Sequence, residues 1–399
     1  MAQRQAPSME TQATMIASGS PLRIGIDATA LPQQPVGAGN YIIHLVRALA
    51  GVQSEFEFVV FLQRSGLSLI GLEPGPGLRY VVVPDRSPVR RLLWEQVAFP
   101  RLAARSGVAL LHSLHYTRPY RLNCPSVVTF HDMTFFLFPH LHTRSRRYFF
   151  PLAIRTSARR AQALIAVSES TRQDAIRLLA LPPDRITATP LGVEEDFRPC
   201  RDVRLRRAVQ EKYNLPAEFI LYVALIEPRK NLPLLIRAYK SLLESGRDIP
   251  LVLGGRFGWD SNRLIEEVRA FGMQERVLFT GYIPREDLPI VYNLASLFVY
   301  PTRYEGFGLP VLEALACGTP TITSAVASLP EIAGDAVAWT PPGDEQALAQ
   351  TMAALLADSG WRQQLAAKGP EQAAQFTWKR TAQLTLQVYR RVLAANRQA

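Results

Sequence analysis

Short apolar runs alternate with amphipathic stretches along most of the chain. In the first half the apolar runs predict strands at residues 22–28, 58–62, 79–83, 108–113, 126–130 and 163–167. Stretches with helical spacing lie between them, for example residues 41–50 and 171–180. Strands that alternate with helices in this way predict a parallel sheet with helices on both faces.

The same alternation begins again in the second half. Its predicted strands are residues 219–225, 250–255, 276–281, 296–301 and 319–324. Between the halves, the stretch "PLGVEEDFRPCRDVR" interrupts the pattern with proline, glycine and charge, so we place a boundary at residues 197–204. We expect an α/β protein of two Rossmann-like, doubly wound domains, residues 21–200 and 201–376, followed by an amphipathic helix at 377–399. Such domains bind ligands at the carboxyl ends of their strands, here in a central cleft.

Length and composition are those of a globular protein. The 399 residues suit two domains, and 48% are hydrophobic. Cys124, Cys200 and Cys317 have neither disulfide-framework nor zinc-ligand spacing, which is typical of a reducing compartment. Residues 1–20 are polar without an apolar signal-peptide core, and no run is long enough to span a bilayer. We therefore expect a disordered tail and a cytoplasmic protein.

The net charge of +11 allows three kinds of partner: nucleic acid, an anionic membrane, or a phosphorylated substrate. No nucleic-acid-binding motif is present, so we expect no nucleic-acid partner. The basic, aromatic segment at 144–161 suits an anionic membrane surface or a lipid-linked acceptor. A solvated amphipathic helix with its apolar side in the core remains the alternative.

The segment "RYEGFGLPVLEALACGTPTI", residues 303–322, follows a predicted strand and runs into a helix. Glu305 lies in the loop and Glu313 in the helix, while Gly306 and Gly308 permit close approach of a ligand. Pro310 suits the first helical position. Two carboxylates at a strand end suit the hydroxyl groups of a sugar. Simple stabilisation of a helix N-terminus by nearby acids explains the residues equally well.

Two further strand ends carry features suited to phosphate. In "ALIEPRKNL", Arg229 and Lys230 are adjacent cations, although a solvated turn with Asn231 as helix N-cap is the alternative. In "ALPQQPVGAGNY", Gly37 and Gly39 open a helix, where backbone amides meet phosphates. The second spacing is not that of a dinucleotide-binding loop, which disfavours NAD.

A histidine and an acid follow a third predicted strand, in "VVTFHDMTFFLFP". His131 suits a polar contact to a reacting sugar, and Asp132 suits either orienting that histidine or binding a hydroxyl. The chain has no D-x-D pair, P-loop, G-x-S-x-G elbow or clustered metal ligands. We therefore expect protein groups, and no metal cofactor, to neutralise the phosphates of a ligand.

Seven segments of the chain occur in the order typical of one family. The chain resembles the retaining glycosyltransferases of family four, which have the GT-B fold, and especially their mannosyltransferase-like bacterial members. The resemblance extends from residue 22 to the final helix. Its segments are "GAGNYIIHLVRAL", "LLWEQVAFPRL", "HDMTFFLFP", "AVSESTRQDAI", "EPRKNL", "YEGFGLPVLEALACGTPTITS" and "SLPEIAGDAV".

The resemblance implies a role for each candidate residue. Glu305 would contact the transferred sugar and support oxocarbenium charge, and Glu313 would bind the ribose. Arg229 and Lys230 would neutralise the diphosphate and stabilise the leaving group. The remaining substrate contacts would come from the turn Gly306, Phe307, Gly308 and Leu309, from Gly37, Gly39, His131 and Asp132 in the other domain, and from Tyr282 and Ile283 around the base.

The resemblance also implies the reaction. A hexose, most readily mannose from GDP-mannose, would be transferred with retention of anomeric configuration to a polysaccharide or lipid-linked acceptor. Peripheral contact of the protein with the inner face of the membrane is an open alternative. UDP-glucose, GDP-fucose and dTDP-sugars remain alternative donors. A sugar-nucleotide epimerase of the same fold and a non-catalytic nucleotide-sugar-binding protein remain alternative functions. Many relatives have a glycine followed by arginine or threonine where this chain has Ala224 and Leu225, so one arginine contact to the diphosphate is missing.

Overall fold

The computed structural model describes residues 21–256, 258 and 261–398. The tail predicted at residues 1–20 therefore lies outside the described residues. Two parallel sheets organise the described chain, each covered by helices, and the predicted α/β architecture is confirmed.

The first sheet has the strand order β3-β2-β1-β4-β5-β6-β7. Its strands are β1 (Leu22–Asp27), β2 (Phe56–Gln63), β3 (Leu78–Val83), β4 (Leu110–Ser113), β5 (Ser126–Phe130), β6 (Ala163–Ala166) and β7 (Ile186–Ala188). The helices of this half are α1 (Ala38–Gly51), α2 (Leu67–Ile70), α3 (Pro88–Val97), α4 (Phe99–Arg105), α5 (Thr134–Leu137), α6 (Arg144–Arg160) and α7 (Glu169–Leu179). The order reverses beside β1, as in doubly wound folds.

The second sheet has the strand order β10-β9-β8-β11-β12-β13. Its strands are β8 (Ile220–Val223), β9 (Leu251–Gly254), β10 (Val277–Gly281), β11 (Leu297–Tyr300), β12 (Thr321–Ser324) and β13 (Ala338–Thr340). The helices are α8 (Val203–Lys212), α9 (Leu232–Glu244), α10 (Ser261–Ala270), α11 (Leu288–Leu294), α12 (Leu309–Ala316), α13 (Leu329–Ala333), α14 (Glu345–Ala357), α15 (Ser359–Ala373) and α16 (Trp378–Gln398).

The strands read as continuous apolar runs because both faces of each sheet are covered. Every residue of β5, β8, β9 and β11 is buried, as expected for parallel sheets between helices. Each predicted strand overlaps an observed one. The pattern missed β7 and β13, which have three residues each and are too short to show a period.

The final helix α16 packs on the first half of the molecule. Its Tyr389 hydroxyl lies 2.6 Å from Nδ1 of the buried His112, and Trp378 stacks on His44 of α1 with ring centroids 5.1 Å apart. The chain thus returns from the second sheet to the first. None of the described helices is long and apolar enough to cross a membrane.

The two halves touch along the cleft between the carboxyl ends of their strands. The Ser168 hydroxyl, at the start of α7, donates to the Gly306 carbonyl at 2.5 Å. The Tyr304 hydroxyl donates to Asp174 of α7 at 2.7 Å. These contacts hold the loop before α12 against the first half of the molecule.

Candidate active site

Glu305 lies buried at the carboxyl end of β11, where four protein groups donate to its carboxylate. Lys230 Nζ donates to Oε1 at 2.7 Å, the Thr302 hydroxyl at 2.8 Å and the Tyr300 hydroxyl at 3.0 Å. Arg229 donates to Oε2 at 3.0 Å. The predicted loop acid and the predicted cation pair therefore form one cluster. They meet because β8 and β11 are neighbours in the sheet.

The charges in this cluster fix the ionisation of Glu305. Burial alone would raise the pKa of Glu305, but Arg229 and Lys230 outweigh it and hold the pKa at about 2. The Arg229 guanidinium also donates to Glu227 at 2.8 Å. Two carboxylates and two cations thus face each other, so the cluster is close to neutral.

Glu313 belongs to a second buried ion network. Arg285 Nη1 donates to its Oε1 at 2.6 Å, and the Tyr292 hydroxyl donates to its Oε2 at 3.1 Å. Arg285 also donates to Glu194 in the linker, which in turn lies 3.0 Å from Nε2 of His44 on α1. Burial raises the pKa of Glu313 despite the arginine. The network connects α12 to the first half of the molecule.

The glycines of the turn before α12 are required by packing as well as by any ligand. A Cβ on Gly306 would lie 1.7 Å from the His131 carbonyl oxygen of the other half. Gly308 has φ +106° and is the N-cap residue, and its Cβ would lie 2.5 Å from Leu329. The helix begins at Leu309, so Pro310 occupies the second helical position and not the first as predicted. Phe307 between the glycines is buried.

His131 lies beside this turn and is partly buried. Its Nε2 lies 2.8 Å from the Leu114 carbonyl, and the edge of its ring meets Tyr41 at 5.0 Å. Burial lowers the pKa of His131, which favours the neutral imidazole. Asp132 Oδ1 accepts hydrogen bonds from the Thr134 amide and hydroxyl. The two roles suggested for Asp132, orienting His131 or binding a hydroxyl, stay predictions. A backbone carbonyl holds the imidazole in its place.

A cavity lies between the two halves. Its wall includes Tyr282, Ile283 and Glu313 from the second half, together with Pro35, Val36 and Asn40 from the first. The positions predicted for base and ribose thus line one cavity.

The two glycines at the start of α1 differ in their surroundings. Gly37 is exposed, has φ +49° and is open at its Cβ position. Gly39 is buried, and a Cβ there would lie 2.9 Å from Pro35 of its own loop. Asn231 occupies the N-cap position of α9, as predicted, but its side chain accepts from Arg303 and makes no cap bond.

Several site residues escaped prediction from the sequence. Arg285 and Glu194 complete the network around Glu313, and Tyr300 and Thr302 complete the shell of Glu305. Arg285 closely follows the end of β10, and this position at a strand end could have marked it as a site residue. Nothing in the sequence marked Glu194, because it lies in the stretch that links the two halves. Among the described residues, no group of His, Cys, Asp and Glu could hold a metal ion.

Comparison with known proteins identifies this architecture. The family model described as "Glycosyltransferase Family 4" matches residues 35–197, and the one described as "Glycosyl transferases group 1" matches residues 206–372. O-antigen chain mannosyltransferase B of Escherichia coli is 37% identical over 283 residues, which cover 70% of this chain and 74% of that protein. The serotype-specific mannosyltransferase WbdA of Escherichia coli is 36% identical over 243 residues, 60% of this chain but only 30% of that longer protein.

Among solved structures, the sucrose-phosphate synthase from Thermosynechococcus elongatus superposes with a TM-score of 0.75 at 24% identity. The superposition covers 94% of this chain and 100% of that one. This likeness shows the GT-B fold, so the predicted fold is confirmed. The chain belongs to glycosyltransferase family 4, and within it resembles bacterial mannosyltransferases.

Proposed function

We propose that this glycosyltransferase transfers mannose from GDP-mannose, with retention of configuration, to a polysaccharide or lipid-linked acceptor on the cytoplasmic side of a membrane. The names of the two Escherichia coli relatives favour mannose. The observation that carries the proposal is the buried cluster of Glu305, Arg229 and Lys230 beside the cavity between the two halves. UDP-glucose, GDP-fucose and dTDP-sugars are the competing donors.

Glu305 would act through fixed negative charge. Its Oε1 already accepts three hydrogen bonds and has no free lone pair, whereas Oε2 accepts one. A sugar hydroxyl would therefore bind at Oε2. A carboxylate with a pKa of about 2 stays ionised through the reaction and stabilises positive charge on the sugar ring.

The same shell argues for same-face attack by the acceptor. A carboxylate that is held by two cations and two hydroxyls is a weak nucleophile, because its electron pairs are already engaged. A covalent intermediate on Glu305 would break several of these bonds. We therefore propose that the acceptor attacks on the face from which the diphosphate departs, which gives retention without an enzyme-bound sugar.

The remaining predicted roles keep their places in the proposal. Glu313 binds the ribose, and Tyr282 and Ile283 flank the base in the same cavity. Arg229, Lys230 and the backbone at Gly308 and Leu309 face the diphosphate and sugar. From the first half, Gly37, Gly39, His131 and Asp132 complete the donor and acceptor sides.

The acceptor side of the protein suits an anionic membrane. The chain has 45 basic and 34 acidic residues. Residues 86–167 contain 13 of the basic residues but only 2 of the acidic ones, so the rest of the chain has 32 basic and 32 acidic residues. One stretch thus carries the whole net charge. Three apolar residues one turn apart are exposed on α3, Val89, Leu93 and Val97, and two on α6, Tyr148 and Leu152. Basic helices with exposed apolar side chains bind anionic lipid.

The two helices are connected through the loop after β4. Gln96 of α3 bonds the backbone at Tyr120 and Arg118, and Arg160 of α6 lies over the Tyr120 ring at 3.5 Å. We propose that this basic face rests on the membrane that contains a lipid-linked acceptor.

A thermal-shift panel tests the donor. GDP, UDP, dTDP and their sugars are compared at equal concentration, since the tightest ligand raises the midpoint most. GDP and GDP-mannose are expected to give the largest shifts. Larger shifts with UDP-glucose would make UDP-glucose the proposed donor in place of GDP-mannose, and the protein would still be a glycosyltransferase. An epimerase would convert the donor sugar without acceptor, and a non-catalytic binder would leave every donor unconsumed.

Vesicle sedimentation tests the membrane contact. Phosphatidylglycerol vesicles are expected to bind the protein, and phosphatidylcholine vesicles to leave it in solution. The double variant Leu93→Ser/Val97→Ser should lose binding. Val203→Ser is the control, because Val203 is equally exposed but lies on α8 outside the basic stretch. Equal binding of the double variant and wild type would contradict the contact.

A further inference from the structure

The cations of the candidate active site are not equivalent. Arg229 contacts Glu305 and Glu227, Lys230 contacts Glu305, and Arg285 contacts Glu194 and Glu313. Each of these positive charges is already opposed by a carboxylate within hydrogen-bond distance. An incoming diphosphate would therefore find little uncompensated positive charge on them.

Arg256 differs from these three cations. It lines the cavity with Glu313 and Tyr282, and among the described residues its guanidinium bonds only Gln34. Nη1 donates to the Gln34 side-chain oxygen at 2.6 Å and Nη2 to its backbone oxygen at 3.4 Å. Its Nε is buried without a hydrogen-bond partner, and no carboxylate pairs with it within the described part of the chain. A buried N–H without an acceptor costs free energy, which a ligand oxygen would recover.

Backbone packing fixes Arg256 beside the loop that follows β8. The Ile226 amide donates to the Arg256 carbonyl at 3.0 Å. A Cβ on Gly255 would lie 1.8 Å from the Ala224 oxygen, and one on Gly258 would lie 2.3 Å from the Ile226 oxygen. Only glycines allow the loop after β9 to lie this close to the loop after β8. Arg256 is therefore held next to residues 224–226.

We infer that Arg256 binds the diphosphate of the donor. The inference rests on the proposed function, because it takes the ligand to be a nucleoside diphosphate. Phosphate oxygens accept paired hydrogen bonds from a guanidinium. The buried Nε and one Nη would bind one phosphate together. Since Gln34 belongs to the first half, the diphosphate lies where the two halves meet.

Calorimetric titration of Arg256→Gln tests the inference. The probes are GDP and guanosine, or UDP and uridine if the thermal-shift panel favours uridine. The affinity for the nucleoside diphosphate is expected to fall about 10- to 100-fold, the size of one charge-assisted phosphate contact. The affinity for the nucleoside, which has no phosphate, should change less than about twofold. The affinity of the variant should also fall less steeply with added salt, because one charged contact is absent.

Two further variants separate charge from structure. Arg263→Gln removes an exposed arginine of α10 that lines a different cavity, and it should bind the nucleoside diphosphate like the wild type. Gln34→Ala removes the contact across the cleft but keeps the cation, and it should retain affinity within about threefold. If Arg256 only tied the halves together, Gln34→Ala would weaken binding as much as Arg256→Gln.

The outcomes distinguish the inference from the function on which it rests. Wild-type affinity in folded Arg256→Gln, or equal losses in Arg256→Gln and Gln34→Ala, would overturn the role of Arg256 while the glycosyltransferase proposal stands. If Arg256→Gln does not fold, Arg256→Lys is titrated in its place. Lysine keeps the positive charge but cannot form the paired contact, so the affinity for the nucleoside diphosphate should fall at least fivefold. A wild-type protein that binds no nucleoside diphosphate would refute both.

Discussion

Replacement of Glu305 by glutamine removes one negative charge from the buried cluster and keeps the shape of the side chain. In the wild type the carboxylate accepts from Lys230, Arg229 and two hydroxyls. In Glu305→Gln the amide oxygen can satisfy only part of this shell, and the amide nitrogen is turned toward a donor. The two cations then keep a single carboxylate, Glu227, which contacts Arg229 alone.

The pKa of Glu305 gives the size of the effect. A fall from 4.5 to about 2 on folding corresponds to roughly 3 kcal/mol of interaction between the carboxylate and its surroundings. Glu305 is buried, so solvent screens little of this interaction. Glu305→Gln should therefore destabilise the second half of the molecule by about that amount. Glu305→Ala should cost more, since it also leaves a cavity.

The effect on catalysis should exceed the effect on binding. Loss of a fixed charge beside the developing oxocarbenium ion is expected to lower kcat about 100-fold or more, as for other preorganised electrostatic contacts. Affinity for the nucleoside diphosphate alone should change less than about threefold, because that ligand lacks the sugar.

Urea unfolding, steady-state transfer and calorimetric binding measure the three quantities on one preparation. Glu331→Gln is the matched control. Glu331 is also an acid at the cleft, but it accepts from two backbone amides of α7 and contacts neither Arg229 nor Lys230. Its transfer rate should stay within about fivefold of the wild type. Near-normal kcat in folded Glu305→Gln would refute the electrostatic role of Glu305.

Three further perturbations follow from the same contacts. Lys230→Ala should weaken both transfer and diphosphate binding in kinetic and calorimetric assays, because it leaves Glu305 short of a buried cation; unchanged binding would contradict a phosphate role. Gly306→Ala should lower the thermal midpoint and transfer, because its Cβ would clash with a carbonyl of the other half, whereas Gly51→Ala has open space and should be silent. Burial raises the pKa of Glu95 to about 7, so the stability that its protonated form confers is full below about pH 4.5 and is lost as pH rises through 7. The thermal midpoint of Glu95→Gln should therefore fall less than that of the wild type between pH 5.5 and 8. Parallel pH profiles of the two midpoints would contradict this.

Much of the fold was accessible from local pattern alone. Buried parallel strands appear as apolar runs, and the helices between them have their own period, so both sheets could be predicted. The packing partner of α16 could not be predicted from the sequence. Its apolar face indicates that it packs against something, but the partner, α1, lies more than 300 residues earlier in the chain. Such a contact depends on the assembled fold.

The same distinction separates the predicted from the unpredicted site residues. Glu305 and the pair Arg229 and Lys230 each follow a strand, and parallel strands bring their carboxyl ends together. Their proximity was therefore inferable across 75 residues. The pairing of Arg285 with Glu194 was not, because a linker residue has no strand end to place it. The orientation of His131 by a backbone carbonyl was also hidden, because backbone acceptors are identical at every position.

Proton NMR of the sugar released from GDP-mannose most directly tests whether this protein is a retaining mannosyltransferase. The assay follows transfer of the sugar to water in place of an acceptor, so no knowledge of the acceptor is required. The donor is an α-mannoside. Wild-type protein should release GDP and α-mannose first, with the β-anomer appearing only by mutarotation, and Glu305→Gln should release neither at a measurable rate. Initial release of β-mannose would contradict retention, and consumption of another nucleotide sugar with GDP-mannose untouched would contradict the donor.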